Sequence, residues 1–214
     1  MNHDRPSRGV SQMVYVSLFA AIIVVMSSVP FLGYIPLGII RATTIHIPVI
    51  IGSLLLGPRA GAVLGFVFGL TSFLSNTFTP NATSFVFTPF YSLGDAHGSA
   101  ASLLVCFVPR ILVGVVPWLV FRGLQALLKK RGEVASLALA GFAGSMTNTL
   151  LVMHMIYLFF ADSYAQARGV AENALYGVIL TVIGTNGVAE ALVAAFLTAA
   201  VTHLLRKALK TERT

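Results

Sequence analysis

The sequence predicts an all-α integral membrane protein with six transmembrane helices, forming a single domain over residues 1–214. Of its 214 residues, 57% are hydrophobic and 10% are charged, whereas a soluble domain carries about 25% charged residues. The mean hydropathy of +0.87 agrees. Too few charges are present to cover a water-exposed surface, which disfavours a soluble enzyme, a disordered chain or a secreted module. The single cysteine, Cys106, offers neither a disulfide framework nor a thiolate metal site.

Six apolar segments define the predicted helices. A helix that crosses the membrane fully needs roughly 20 apolar residues. The first covers residues 13–31 and is ended by Pro30 and the turn that follows it. The second, residues 45–56, is marginal for a crossing and stops at Gly57-Pro58. The remaining four segments cover residues 59–75, 102–121, 134–160 and 175–205.

Two segments carry small residues spaced four apart, which line one face of a helix and permit close approach of a neighbour. The members of these stripes are Gly57, Gly61, Gly65 and Gly69 in the third segment, and Gly187, Ala191, Ala195 and Ala199 in the sixth. Both stripes predict close packing inside the bundle. The alternative is an interface with another membrane subunit.

Lysine and arginine residues lie mostly beside the ends of the apolar segments, as they do in cytoplasmic loops. With six crossings and a cytoplasmic N-terminus, both termini and the loops at Arg59 and 122–131 lie inside. Residues 32–44, 76–100 and 161–174 then face outward. Eleven of the fourteen basic residues lie inside in this arrangement. The formal net charge of +7 is therefore an orientation signal and does not indicate binding to nucleic acid.

Two ionisable residues fall within apolar segments, where a charge costs at least about 2.5–3.5 kcal/mol. Arg110 lies about nine residues into the fourth segment, and Glu190 about fifteen residues into the sixth. One interpretation is an internal ion pair between Arg110 and Glu190 that holds helices together. The other is that Arg110 faces a cavity and binds a carboxylate or phosphate group of a substrate.

Polar and aromatic residues near the same depth or in the outer loops favour the cavity. Asn148 and His154 lie in the fifth segment, and Asn186 in the sixth stands between glycines that would let the helix loosen. Tyr34 and Phe87 belong to outer loops rich in aromatic residues. Such loops form either an interfacial belt or a hydrophobic lid over a small organic ligand.

Motifs of catalysis and nucleotide binding are absent from the sequence. It contains no P-loop, no His-Glu-x-x-His metal motif and no Gly-x-Ser-x-Gly nucleophile elbow. We therefore expect neither an enzyme nor a cofactor or metal centre.

Six stretches of the chain together resemble the substrate-binding S-components of energy-coupling factor (ECF) vitamin transporters. These stretches are Val29–Gly38, Thr43–Pro48, Leu56–Gly61 with the glycines that follow, Val108–Gly114, Ser145–Thr149 and Gly184–Glu190. The resemblance covers nearly all of residues 13–205 and is closest to the pantothenate-type branch. The alternatives within the family are riboflavin, folate and pyridoxine-type relatives.

The resemblance implies a six-helix protein of a prokaryotic plasma membrane that binds a small vitamin on its outer side. It would dock on a membrane scaffold subunit that is driven by two cytoplasmic ATPases. Members of this family often carry an Ala-x-x-x-Ala face on the first helix for the scaffold, and the nearest match here is Ser17-x-x-x-Ala21. Arg110, Asn148, His154 and Asn186 match the region of the pocket. The rival from another class is a self-sufficient, ion-coupled transporter with Glu190 as its ion site.

Overall fold

The computed structural model describes residues 8–29, 33–37, 40–128 and 132–211, with the backbone alone for Arg8 and for the described residues of 34–42 and 209–211. Eight α-helices lie within these ranges. They are α1 (Arg8–Ser28), α2 (His46–Leu56), α3 (Pro58–Phe78), α4 (Ala100–Val113), α5 (Val116–Leu127), α6 (Glu133–Arg168), α7 (Glu172–Val182) and α8 (Val188–Thr211). A 3₁₀ turn covers Ser84–Val86, and a π-helical segment, Ile183–Gly187, joins α7 to α8.

Five helical stretches of the described chain are long and apolar enough to cross a membrane. They are α1, α3, α4 with α5, α6, and α7 continuing into α8. Helix α2 has only 11 residues and is too short to cross by itself. The prediction of an all-α membrane protein is thus confirmed, whereas the sixth crossing and the side on which the termini lie stay predictions.

The helices differ from the predicted segments mainly in their interruptions. The fourth segment is divided between α4 and α5 at Gly114, just before Pro117. Helix α6 continues beyond the predicted end at Phe160, but Phe160 itself has non-helical dihedral angles (φ −139°, ψ 24°). The sixth segment contains the π-helical turn at the glycine-flanked residues.

Two short hairpins were not predicted from the sequence. Strand β1 (Tyr34–Leu37) pairs antiparallel with β2 (Ile40–Thr43), and β3 (Ser92–Leu93) pairs with β4 (Ala96–His97). These strands are too short to show the alternation of apolar and polar residues that marks a strand in sequence. Both hairpins lie at one end of the bundle, which we call the hairpin end. The opposite end, which carries Arg59, Arg122 and Arg206, is the basic end.

The glycine stripe of α3 packs against α4 and α5, as predicted for close packing within the bundle. A Cβ atom added at Gly61 would collide with the carbonyl oxygen of Gly114, and one at Gly65 with that of Arg110. On the sixth segment, Gly187 packs against Thr149, and Ala191 is fully buried. These contacts fix the height of α4, and therefore of Arg110, relative to α3.

Candidate ligand-binding site

Arg110 lies in the last turn of α4, and its position depends on the proline that precedes it. Proline has no N–H, so Pro109 leaves the carbonyl of Val105 without its helical donor. The Arg110 Nη1 donates to that carbonyl at 2.8 Å. The residue is only 7% exposed, and the bond holds its side chain along α4 toward the hairpin end.

The guanidinium of Arg110 lies over two aromatic rings. Its carbon is 4.9 Å from the ring centroid of Phe87 and 5.7 Å from that of Phe68. A cation over an aromatic face is stabilised by the ring quadrupole, more so when water is excluded. Of the candidates chosen from sequence, Arg110 and Phe87 are therefore brought together.

The loop that carries Phe87 is held by hydrogen bonds from buried hydroxyl groups. Ser102 Oγ donates to the carbonyl of Phe85 at 2.7 Å, and Ser84 Oγ donates to Asn76 Oδ1 at 2.7 Å. Phe85 is fully buried and packs edge-on against Phe160, the kink residue of α6. The aromatic loop is thus part of the folded core at the hairpin end.

Glu190 does not form the ion pair with Arg110 that the sequence offered as one interpretation. Its Oε1 accepts a hydrogen bond from the backbone N–H of Thr43 at 2.8 Å. Among the described residues, the salt bridge of the structure is Arg206 with Glu133 at 3.0 Å, at the basic end. Glu190 therefore anchors β2 to the first turn of α8, a contact across 147 residues of sequence.

A second set of polar residues lies on α2 and α6, near the place where these two helices meet. His46 and Ser145 are each 1% exposed. Both ring nitrogens of His46, the Ser145 Oγ and the Asn148 Oδ1 have no hydrogen-bond partner among the residues described. Buried polar atoms in folded proteins are nearly always paired with protein, water or ligand. These atoms are therefore free to bind a ligand or water at the junction of α2 and α6.

Helix geometry places His46 and Asn148 at the same height. A Cβ atom at Gly144 of α6 would lie 2.9 Å from the Ile50 Cδ1 of α2, so the two helices touch at this level. They run in opposite directions, and residues four apart lie on the same face. One turn toward the hairpin end therefore reaches His46 on α2 and Asn148 on α6.

The other candidates lie elsewhere. His154 is exposed on the outside of α6, where its Nδ1 is 2.7 Å from the Leu150 carbonyl and its ring is 6.5 Å from that of Tyr176. Asn186 is half-buried in the π-helical segment, and its Oδ1 accepts a hydrogen bond from Thr185 Oγ1 at 3.3 Å. The side chain of Tyr34 lies outside the described part of the structure.

Ser17 and Ala21 are exposed on α1, away from the polar site. Ser17 borders a groove of about 350 Å³ between α1 and α3 at the basic end, together with Met13, Arg59 and Val63. The predicted interface residues therefore lie on an open apolar face.

Sequence reasoning missed His46, Ser145 and the contact of Thr43 with Glu190. His46 begins a run of apolar residues and matched no motif of binding chemistry. Its burial and its lack of a partner depend on how α2 packs against α6, which a single sequence does not reveal.

Comparison with known proteins identifies the family. A model of the family described as "ECF transporter, substrate-specific component" matches residues 11–202. The chain belongs to this family. It is 40% identical over 187 residues, 84% of this chain and 87% of the relative, to the pantothenic acid transporter PanT of Lactococcus lactis subsp. cremoris. It is 30% identical over 205 residues, 90% of this chain and 91% of the relative, to the pantothenate transporter PanT of Leuconostoc mesenteroides.

This ECF substrate-specific component is thus a substrate-binding component of a transporter and not an enzyme. Membership confirms the resemblance given by the sequence motifs. It also gives the buried polar groups at the hairpin end a functional context, because a solute-binding subunit needs unsatisfied polar atoms in an otherwise apolar site.

Proposed function

We propose that this protein captures pantothenate at its hairpin end and is the substrate-binding subunit of an ECF-type ABC transporter. The observation that carries the proposal is the 40% identity to a pantothenic acid transporter across 84% of the chain. Pantothenate is a carboxylate, and the buried cation Arg110, whose guanidinium reaches Phe87 in the loop at the hairpin end, supports the same choice.

The chemistry of the site suits the groups of this ligand. Pantothenate carries a carboxylate, an amide and two hydroxyl groups. Arg110 would bind the carboxylate, because a guanidinium forms charge-assisted and bidentate hydrogen bonds with it. Asn148 and Asn186 offer both donors and acceptors to the amide and hydroxyl groups. Phe87 and Tyr34 would cover the apolar part, while His154 contributes only if its exposed ring turns inward.

The hairpin end would face the outside of the cell. Placing the basic end in the cytoplasm follows the positive-inside rule, since Arg59, Arg122 and Arg206 lie there. With α2 counted as a short crossing, the chain would span the prokaryotic plasma membrane six times, with both termini inside. Its ligand would then enter from the external medium.

Energy for uptake would come from partner subunits. The sequence has no P-loop, so two cytoplasmic ATPases and a membrane scaffold would supply ATP hydrolysis and movement. Docking through the α1 face at Ser17 and Ala21 is supported by their exposure. Toppling of the subunit in the bilayer would then deliver the vitamin to the cytoplasm.

Uptake by reconstituted protein separates this proposal from an ion-coupled transporter. Vesicles with the scaffold and ATPases should accumulate labelled pantothenate only when ATP is supplied. Vesicles containing this chain alone, with a proton or sodium gradient, should accumulate none. Gradient-driven uptake by the chain alone would support the rival instead.

The ligand itself is tested by isothermal titration calorimetry of the purified protein in detergent. Pantothenate should bind, while riboflavin, folate and pyridoxine should not. Arg110→Gln should weaken pantothenate binding about 10- to 150-fold, the range expected for loss of charged hydrogen bonds. Arg122→Gln, which removes an exposed cation at the basic end, is the matched control and should bind normally.

A further inference from the structure

We propose that His46 is a ligand-contacting residue that determines specificity by binding the hydroxyl-bearing end of the ligand, opposite the carboxylate end held by Arg110. The inference rests on the proposed function, and it adds a residue and an orientation to it. It follows from three features: an unpartnered buried imidazole, the acceptors around it and the separate position of the cation.

The imidazole of His46 is buried without any partner of its own. The residue is 1% exposed, and neither Nδ1 nor Nε2 is hydrogen-bonded within the described structure. A histidine that served only to hold helices together would bond to a carbonyl or hydroxyl of a neighbouring helix. A neutral imidazole keeps one donor and one acceptor, which together match a hydroxyl group.

Two side chains with oxygen acceptors belong to the same part of the bundle as His46. Asn148 Oδ1 lies one turn above the contact of Ile50 with Gly144, at the height of His46. The carboxyl group of Glu190 is held by the backbone N–H of Thr43, three residues before His46. Oxygen acceptors need donors from the ligand, and hydroxyl groups supply them. A ligand hydroxyl can both donate to these oxygens and accept from the His46 N–H, whereas a carboxylate can only accept.

The cation lies against a different set of residues. Arg110 bonds back to Val105 and lies over Phe87 and Phe68, on the side formed by α3, α4 and the aromatic loop. Phe68 packs in the same core cluster as Ile45 and Val49, the neighbours of His46 along α2. Both poles lie toward the hairpin end, because Arg110 reaches Phe87 of the aromatic loop and His46 begins α2 there. The cation lies on the side of α3 and α4, and the acceptors lie on the side of α6 and α8. This arrangement orients a ligand that has a carboxylate at one end and hydroxyls at the other.

Pantothenol, in which a primary alcohol replaces the carboxylate of pantothenate, separates the two poles. Binding of both compounds is measured by calorimetry for the wild type, Arg110→Gln, His46→Leu and His46→Gln. Ser53→Ala is the matched control, because Ser53 lies two turns further along α2, is fully buried and also lacks a hydrogen-bond partner among the described residues. The Tm of each ligand-free variant reports its folding.

His46→Leu should weaken binding of pantothenate and of pantothenol by the same factor, roughly tenfold or more. Its ligand-free Tm should stay equal or rise, because an unpaired polar group is replaced by an apolar one. His46→Gln should keep part of the affinity, and Ser53→Ala all of it. Arg110→Gln should weaken pantothenate binding and leave pantothenol binding nearly unchanged.

Two results would overturn the inference, and each is distinct from failure of the proposed function. They are wild-type affinity in both His46 variants, whether or not their Tm is lowered, and a loss of affinity confined to pantothenate. If the wild type itself binds no pantothenate, the proposed function fails and the assignment of His46 falls with it.

Discussion

Arg110 donates a hydrogen bond to the carbonyl of Val105 at 2.8 Å, and this carbonyl is the one that Pro109 leaves free in α4. The sequence Pro109-Arg110 therefore has two structural effects. It satisfies a buried carbonyl that has no helical donor, and it directs a long cationic side chain to Phe87 and Phe68. The hydrogen bond between Arg110 and Val105 thus both completes the bonding of α4 and holds the guanidinium where a ligand could meet it.

Replacing Pro109 by alanine should loosen the hold on Arg110. The restored N–H would bond to the Val105 carbonyl and compete with the guanidinium. We expect pantothenate affinity to fall roughly threefold to tenfold while the Tm holds or rises. Calorimetry and thermal unfolding measure the two effects. Val108→Ala, on an exposed face of the same helix, is the control. Equal affinities of both variants and the wild type would show that Pro109 does not hold Arg110 in place for the ligand.

Glu190 offers a second test, because its glutamine and alanine variants should differ. Gln keeps an oxygen that accepts from the Thr43 N–H, so β2 should remain attached to α8. Ala removes that acceptor and leaves the backbone N–H unsatisfied. We expect calorimetry to show Glu190→Ala binding about tenfold more weakly than the wild type, with Glu190→Gln retaining more of the affinity.

Uptake assays with the Glu190 variants distinguish an ECF component from an ion-coupled transporter. An ion-coupled transporter with Glu190 at its ion site would lose uptake entirely in Glu190→Gln, because the side chain could no longer release a proton or hold sodium. An ECF component should instead keep ATP-dependent uptake in that variant. Complete loss of uptake with binding intact would argue against the proposed mechanism.

The architecture could be predicted from sequence because hydrocarbon imposes a simple requirement. Backbone groups in a bilayer core must bond internally, so each long apolar segment becomes a helix. Helices occupy most of the described residues within the six predicted segments. The interruptions within the helices were harder to predict, because nothing in the sequence around Phe160 indicates that the helix is kinked there. Phe160 packs edge-on against Phe85, a tertiary contact that a single sequence does not reveal.

Residues of the candidate site could be predicted from sequence where a charge lies in an apolar segment. They could not be predicted where their role depends on tertiary packing. Arg110 stood out because a charge in an apolar segment needs a reason. His46 did not, since one histidine among isoleucines does not reveal that its ring will lack a partner. The ion pair of Glu190 with Arg110, one of the two interpretations of the sequence, rested on approximate depth alone. Only the β1–β2 hairpin, which folds back over the bundle, brings Thr43 to the carboxyl group.

Two glycines of similar sequence context should respond differently to alanine. Gly61 touches the Gly114 carbonyl, whereas a Cβ at Gly123 would meet no atom within 4 Å. Gly61→Ala should push α3 away from α5 and destabilise the protein by about 1–3 kcal/mol. Gly123→Ala should be neutral or slightly stabilising. Thermal unfolding in one detergent compares the two, and equal Tm values would refute this packing.

The α1 face can be tested without disturbing the ligand site. Ser17→Trp adds bulk to the groove beside Arg59 and Val63, and it should abolish uptake by the complete transporter while leaving pantothenate binding unchanged. Leu158→Trp is the control, because Leu158 is 72% exposed on α6. Co-purification with the scaffold subunit should fail only for the Ser17 variant. Normal assembly of that variant would place the interface elsewhere.

Pantothenate binding is measured most directly by calorimetric titration of the purified wild-type protein. We expect saturable binding of one molecule per chain at micromolar concentration or below, and no binding of riboflavin, folate or pyridoxine. Absence of pantothenate binding, or preferential binding of another of these vitamins, would contradict it.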